Sequence, residues 1–174
     1  VTSTNDPRET RDWRLVGYTP GMYVDGTFDS EIRRQVAAEL RRPVFLACFS
    51  RDISALTGDR HEDVLKRGLA KARMWDQYGD KHRGFCLIFD RQKLLTQAEI
   101  QFGPQAVRAG NVQYRNCSAA QSIAPNAFRI ELHALGRLGL TKYCELHRNH
   151  YMQDLFFEKL EDWRDENEWR LAVV

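Results

Sequence analysis

The chain has 174 residues, a hydrophobic content of 43%, a charged content of 29% and a formal charge of +2. That is the composition of an ordinary globular protein with length for one real core, and it argues against two separate compact domains. The small charge, with bases scattered among acids, argues against a nucleic-acid surface, and no apolar run approaches the roughly 20 residues of a membrane span.

Residues 1–27 carry the turn formers Asn5-Asp6-Pro7, Pro20-Gly21 and Asp25-Gly26, with one short extended piece expected over 13–16. Ile32, Val36 and Leu40 then recur every four residues, which predicts a helix over 30–41, capped by Asp29 or Ser30 and stopped by Pro43. Residues 44–49, Val-Phe-Leu-Ala-Cys-Phe, are continuously apolar and predict a strand buried on both faces. Val64, Gly68, Ala72, Trp75 and Tyr78 step by three and four. They predict a second helix of about 18 residues, with Gly79 at its end.

Residues 84–89 predict a second buried strand closed by Asp90, followed by a short helix over 93–100 and a more exposed strand over 107–114. A polar loop over 116–126 leads into helical text over 127–158, broken at Gly136 and Gly139. Phe128, Leu132 and Leu135, then Tyr143, His147, Tyr151 and Leu155, are expected to face inward. The last strand begins near Glu168. Helices and strands mix without a βαβ rhythm, which predicts a single α+β domain over 1–174, a mixed central sheet of about four to six strands flanked by helices.

The strongest polar signal is the segment holding Lys159, Trp163, Glu166, Glu168 and Arg170. In an extended chain alternate side chains share a face, so Glu166, Glu168 and Arg170 would stand together and Trp169 and Leu171 opposite. Two carboxylates at that spacing can hold a sugar hydroxyl and offset developing positive charge; the same charges can also form a plain salt-bridged strand entry. A second signal is Trp75 and Tyr78, three apart on one helical face, with His82 before the strand at 84–89. Aromatics so placed pack a helix on a sheet, or stack on a planar ligand. Ser50 ends the first central strand, either as a turn former or as a ligand-touching or nucleophilic hydroxyl; no Gly-x-Ser-x-Gly elbow surrounds it.

Cys144, His147 and His150 fall at intervals of three, a spacing that does not converge on one metal, and no metal is expected. The four cysteines, Cys48, Cys86, Cys117 and Cys144, lie far apart with no CxxC pair, and Cys48 and Cys86 lie inside apolar runs, so buried free thiols of a cytoplasmic protein are expected.

Taken in order, Asn5-Asp6-Pro7, Cys48-Phe49-Ser50, Met74-Trp75 with Tyr78, His82-x-Gly84-Phe-Cys, Phe89-Asp90, Val112-x-Tyr114 and Lys159 with Trp163, Glu166, Glu168 and Arg170 resemble one bacterial family. It is the domain-of-unknown-function family numbered 2971, linked with abortive-infection, or antiphage, proteins. The likeness runs along nearly the whole chain, and the Met-Trp…Tyr…His-x-Gly-Phe-Cys and Trp…Glu-x-Glu-x-Arg blocks are its specific parts. Family members open with an extra strand carrying a tyrosine and a basic residue. This chain begins four residues before Asn5, and is expected to lack that strand.

The resemblance locates a site more firmly than a reaction. Ser50 and Glu166-Asn-Glu168 are similar to the serine and Glu-x-Glu marks of ADP-ribosyltransferases that use a basic–serine–glutamate set. On that likeness NAD is a substrate rather than a bound cofactor, and the acceptor is a small molecule or a protein. Glu168 would bind the ribose 2′-hydroxyl and Glu166 would position the acceptor. Trp75 or Tyr78 would stack on nicotinamide, with His82 or Arg170 near the diphosphate; Trp163 and Lys159 complete the ligand-binding set. A second reading is a non-catalytic nucleotide- or protein-binding sensor of a defence system. A third is a nuclease or other hydrolase using His82 and the carboxylates.

Overall fold

The structure is a computed structural model that describes residues 13–17, 26–53, 56–115 and 126–174. The Asn5-Asp6-Pro7 turn, and the expected loop over 116–126 except Asn126, lie outside the described residues. The fold is α+β. By its contacts the chain forms two compact units, Val1–Val44 with Gln113–Glu161, and Phe45–Val112 with Asp162–Val174.

The first unit contains β1 (Arg14–Val16), α1 (Gly26–Arg41), β4 (Gln113–Arg115), β5 (Arg129–Glu131), α5 (Leu132–Leu138), α6 (Leu140–His150), α7 (Met152–Phe156) and β6 (Glu158–Leu160). Parallel pairs β1–β5 and β4–β6 form two small sheets. The helix stripes land where their spacing predicts. Val36 and Leu40 are fully buried with Trp13, Leu15, Phe128, Ile130, Leu132, Tyr143 and Cys144, and Ile32, Leu135, Tyr151 and Leu155 pack against them. α1 starts at Gly26, four residues before the expected start at residue 30, and so takes in the expected caps Asp29 and Ser30. Gly139, at φ +76°, separates α5 from α6, a conformation that glycine adopts without steric cost. His147 is buried and its Nε2 lies 2.8 Å from the carbonyl oxygen of Ala127. Tyr143 stacks on its ring and Tyr151 tilts against it.

The second unit contains β2 (Phe45–Ser50), α2 (Arg60–Asp63), α3 (Ala72–Tyr78), α4 (Arg91–Phe102), β3 (Val107–Asn111) and β7 (Glu168–Val173). Its sheet has the order β2–β7–β3 and both pairings are antiparallel. β7, the last strand, is therefore the central one, and Trp169 and Leu171 reach the core with Ala98 and Val107.

Several expectations change here. The expected 44–49 strand exists as β2, but it is an edge strand with Phe45 73% exposed rather than a strand buried on both faces. Residues 84–89 form no strand, and Phe85, Leu87, Ile88 and Phe89 are exposed. Cys48 and Cys86, within these two runs, are exposed as well rather than buried. Apolar composition shows that a segment avoids water; it does not supply the neighbour that would cover it. The expected 107–114 strand is divided between β3 and β4, which belong to different sheets.

The expected second helix is broken into α2, two 3₁₀ turns and α3. Gly68 explains the break: a Cβ there would stand 2.9 Å from the carbonyl oxygen of Ser50 and 3.0 Å from that of Arg51. The Gly68 N–H donates to the Asp52 carboxylate at 2.8 Å, a partner outside any helical ladder. In total the described strands form one three-stranded and two two-stranded sheets.

Candidate functional site

Antiparallel pairing sets Ser50, the last residue of β2, directly across from Glu168, the first of β7. The Gly68 contact holds the chain after Ser50 against the turn that leads into α3. Lys71, the residue before α3, reaches back from that turn. Its Nζ donates to Ser50 Oγ at 3.1 Å, to the Glu166 carbonyl at 3.0 Å and to the Arg51 carbonyl at 3.5 Å. Ser50 Oγ donates to the same Glu166 carbonyl at 2.8 Å. Two turns along α3, the Tyr78 hydroxyl donates to Glu166 Oε1 at 3.0 Å. Ser50, Lys71, Tyr78 and Glu166 thus form one hydrogen-bonded group assembled from three separate stretches of chain.

Beside this group lies a cleft of about 680 Å³. Ser50, Trp75 and Tyr78 line it, together with Phe85, Phe89 and Trp169. Arg51, Arg67 and Arg91 are also in its walls. An apolar, aromatic cavity with a few cationic groups suits a ligand that has a flat ring and negative charge. The Trp75 indole is fixed by donation of its Nε1–H to the Leu69 carbonyl at 2.6 Å. Phe49 meets Phe89 edge-on at 5.6 Å between centroids, which anchors the exposed 84–89 segment at its far end.

Burial lowers the Lys71 pKa, because desolvation disfavours the ammonium, and the nearby Arg51 cation acts in the same direction. Asp165, Glu166 and Asp52 oppose that shift, and the outcome is still a lysine easier to deprotonate than a free one.

The residues expected at a site are only partly brought together. Ser50, Trp75 and Tyr78 share the cleft, and Glu166 stands one hydrogen bond behind its wall. Glu166 lies in the 3₁₀ turn before β7, so it does not share the strand face of Glu168 and Arg170. Those two form a buried ion pair, with Arg170 Nε donating to Glu168 Oε1 at 2.7 Å. Glu168 and Arg170 are not among the cleft-lining residues. The Arg73 guanidinium lies 4.9 Å over the Trp163 ring. Lys159 is buried in β6 of the first unit.

His82 is exposed at φ +67° and is not a lining residue. It ends three consecutive left-handed residues, Asp80, Lys81 and His82, in the turn between Gly79 and Gly84. Among the described residues no cluster of histidine, cysteine and acidic side chains is arranged to hold a metal.

Lys71 was not singled out from the sequence. A signal for it exists: with Val64, Gly68, Trp75 and Tyr78 it completes steps of four, three, four and three, so a lone cation sits on the otherwise apolar stripe. The cleft arginines give no such signal, because each is one of many scattered bases.

Residues 74–171 match a protein family described as protein of unknown function (DUF2971). The match takes in both specific blocks of the sequence, from Met74 through Arg170. No curated protein and no solved structure matches the chain.

Proposed function

The chain belongs to the DUF2971 family, and on the site's geometry we propose that it binds a nucleotide in the cleft of the second unit and transfers ADP-ribose from NAD. The observation that carries this reading is the hydrogen-bonded group of Ser50, Lys71, Tyr78 and Glu166 beside an aromatic cleft with arginines in its walls. Trp75 and Tyr78 supply ring surface for nicotinamide or adenine, and Arg51, Arg67 and Arg91 supply charge for the diphosphate.

Cleavage of the nicotinamide–ribose bond builds positive charge on the ribose, and a carboxylate that binds a ribose hydroxyl favours that transition state over the ground state. The resemblance to ADP-ribosyltransferases gave this task to Glu168 and acceptor positioning to Glu166. The geometry moves the ribose task to Glu166 and leaves Glu168 no ligand role. Glu168 is neutralised by Arg170, whereas Glu166 touches the cleft wall through Tyr78. Glu168 and Arg170 then act as a buried brace at the start of β7. The setting we infer is antiphage or toxin biology in a bacterial cytoplasm.

The test is incubation with NAD and a readout of free nicotinamide, with protein acceptors present. Turnover is expected, and Glu166→Gln should lower it by about 10²-fold or more, the scale of a lost electrostatic contact in a transition state. No nicotinamide release by folded protein overturns the reading.

The same buried ion pair favours a second reading, a non-catalytic nucleotide sensor, because one of the two carboxylates is already neutralised. On that reading nucleotides raise the melting temperature without turnover. The hydrolase reading loses its histidine, since His82 stands outside the cleft lining.

A further inference from the structure

We propose that Ser50 and Lys71 are a nucleophile–base pair facing the cleft, able to take an acyl or phosphoryl group from an anionic molecule onto the Ser50 hydroxyl. This goes beyond ADP-ribosyl transfer and does not depend on it.

The geometry is that of an activated serine. Nucleophile and base are within hydrogen-bond reach at 3.1 Å, and the base is oriented by further groups, the carbonyls of Glu166 and Arg51. Ser50 lines the cleft, and Lys71, half-buried, stands beside it without lining the cavity itself. Half-burial favours the neutral amine that a base requires. Arg51 and Arg91 in the cleft wall favour an electrophile that carries negative charge, while Arg67 is paired with Asp52, which also lines the cleft.

The Ser50 hydroxyl hydrogen, now directed at the Glu166 carbonyl, rotates toward the Nζ lone pair. The proton passes to Nζ as Oγ bonds to the carbonyl carbon or phosphorus. The bond to the leaving oxygen breaks, and the Lys71 ammonium returns the proton to that oxygen. Water repeats the sequence in reverse and frees Ser50.

The competing account is that Lys71 is a structural cation tying the end of β2 to the turn before β7. Lys71→Arg separates the two, because a guanidinium keeps charge and donors but has no lone pair to accept a proton. The probe is an alkyl fluorophosphonate, which loses fluoride as the serine oxygen bonds to phosphorus, with the adduct located by peptide mass spectrometry.

Wild type should label at Ser50, Ser50→Ala should not, and Lys71→Arg should label about 10²-fold more slowly, the lower end of a general-base contribution. Labelling of Lys71→Arg at the wild-type rate, or a folded wild type left unlabelled at Ser50, overturns the proposal. If Lys71→Arg does not fold, the wild-type pH profile decides. A rate that rises with a midpoint below the ordinary lysine value of 10.5 supports it, and a pH-independent rate overturns it. Nicotinamide release from NAD is a separate readout, so failure of the transfer reading and failure of this one are told apart.

Discussion

In the unit of Val1–Val44 and Gln113–Glu161, side chains from α1, α6, β1 and β5 close around His147 and Cys144, and among the described residues few large apolar side chains remain in water. In the unit of Phe45–Val112 and Asp162–Val174, the buried core is Ala98, Val107, Trp169 and Leu171, while Phe45, Leu65, Phe85, Leu87 and Ile88 stay exposed. In the first unit the buried His147 and Glu158 hold fixed partners, the Ala127 carbonyl and the Arg115 guanidinium. The second leaves apolar surface open and gathers Ser50, Lys71, Tyr78 and Glu166 beside a cavity. The larger buried cluster lies in one unit and the candidate site in the other.

The sharpest way to break that contrast is to cut a buried apolar side chain in the first unit and an exposed one in the second. Leu40→Ala in the first unit removes a fully buried side chain and should cost about 2–5 kcal/mol, read by urea unfolding. Ile88→Ser in the second removes a side chain that is 78% exposed and should change stability by no more than about 0.5 kcal/mol. Equal losses at both positions would remove the distinction.

Gly68→Ala is the second unit's own weak point. The new methyl would meet the Ser50 and Arg51 carbonyls at 2.9 and 3.0 Å, backbone atoms that cannot swing aside. A loss of about 1–3 kcal/mol is expected, together with weaker ligand binding, because Ser50 must move with its carbonyl. Ligand binding at the wild-type level would show that the cleft does not depend on this contact.

Acid should act on the units in different pH windows. Desolvation lowers the His147 pKa below its ordinary 6.5, although its bond to Ala127 opposes the shift. The folded state thus binds fewer protons than the unfolded chain. Its stability contribution is full above pH 6.5 and is lost as pH falls from there through the lowered folded value. In the second unit Asp63 accepts from the Thr57 and Gly58 N–H groups at 2.9 and 2.8 Å, which hold its carboxyl at about 2 against an ordinary 3.8. Its contribution is full above 3.8 and is lost as pH falls through about 2. Hydrogen exchange across a pH series should show α6 loosening first and the Thr57–Asp63 turn later. The reverse order would contradict both assignments.

The thiols offer the gentlest comparison. Burial pushes Cys144 up to about 11, so it should resist a thiol reagent in the folded protein, while exposed Cys48 and Cys86 react. Modification of Cys144 as fast as of Cys86 would mean that the first core is open.

The same contrast decides what could be read in advance. In the first unit Ile32, Val36 and Leu40, and then Leu132, Leu135, Tyr143 and His147, announce their helices, because a closed core imposes the helical period on the sequence. β7 is legible too, with its acid–base alternation on one face and Trp169 and Leu171 on the other. The second unit's apolar runs mislead, since residues 44–49 and 84–89 look central but lie at an edge and in an exposed extended segment. The site was half legible. Ser50, Tyr78 and Glu166 could be chosen for their residue types and positions. The role of Lys71 depends on how closely the chain at Gly68 approaches that after Ser50, which no local pattern encodes.

The central claim, that the second unit's cleft receives a nucleotide, is tested most directly by calorimetric titration of NAD into wild type and Trp75→Ala. Wild type should bind, and loss of the indole should weaken binding by about 1–3 kcal/mol, the worth of one base-stacking aromatic. Folded wild type that takes up no NAD, or binding equally tight without Trp75, would contradict it.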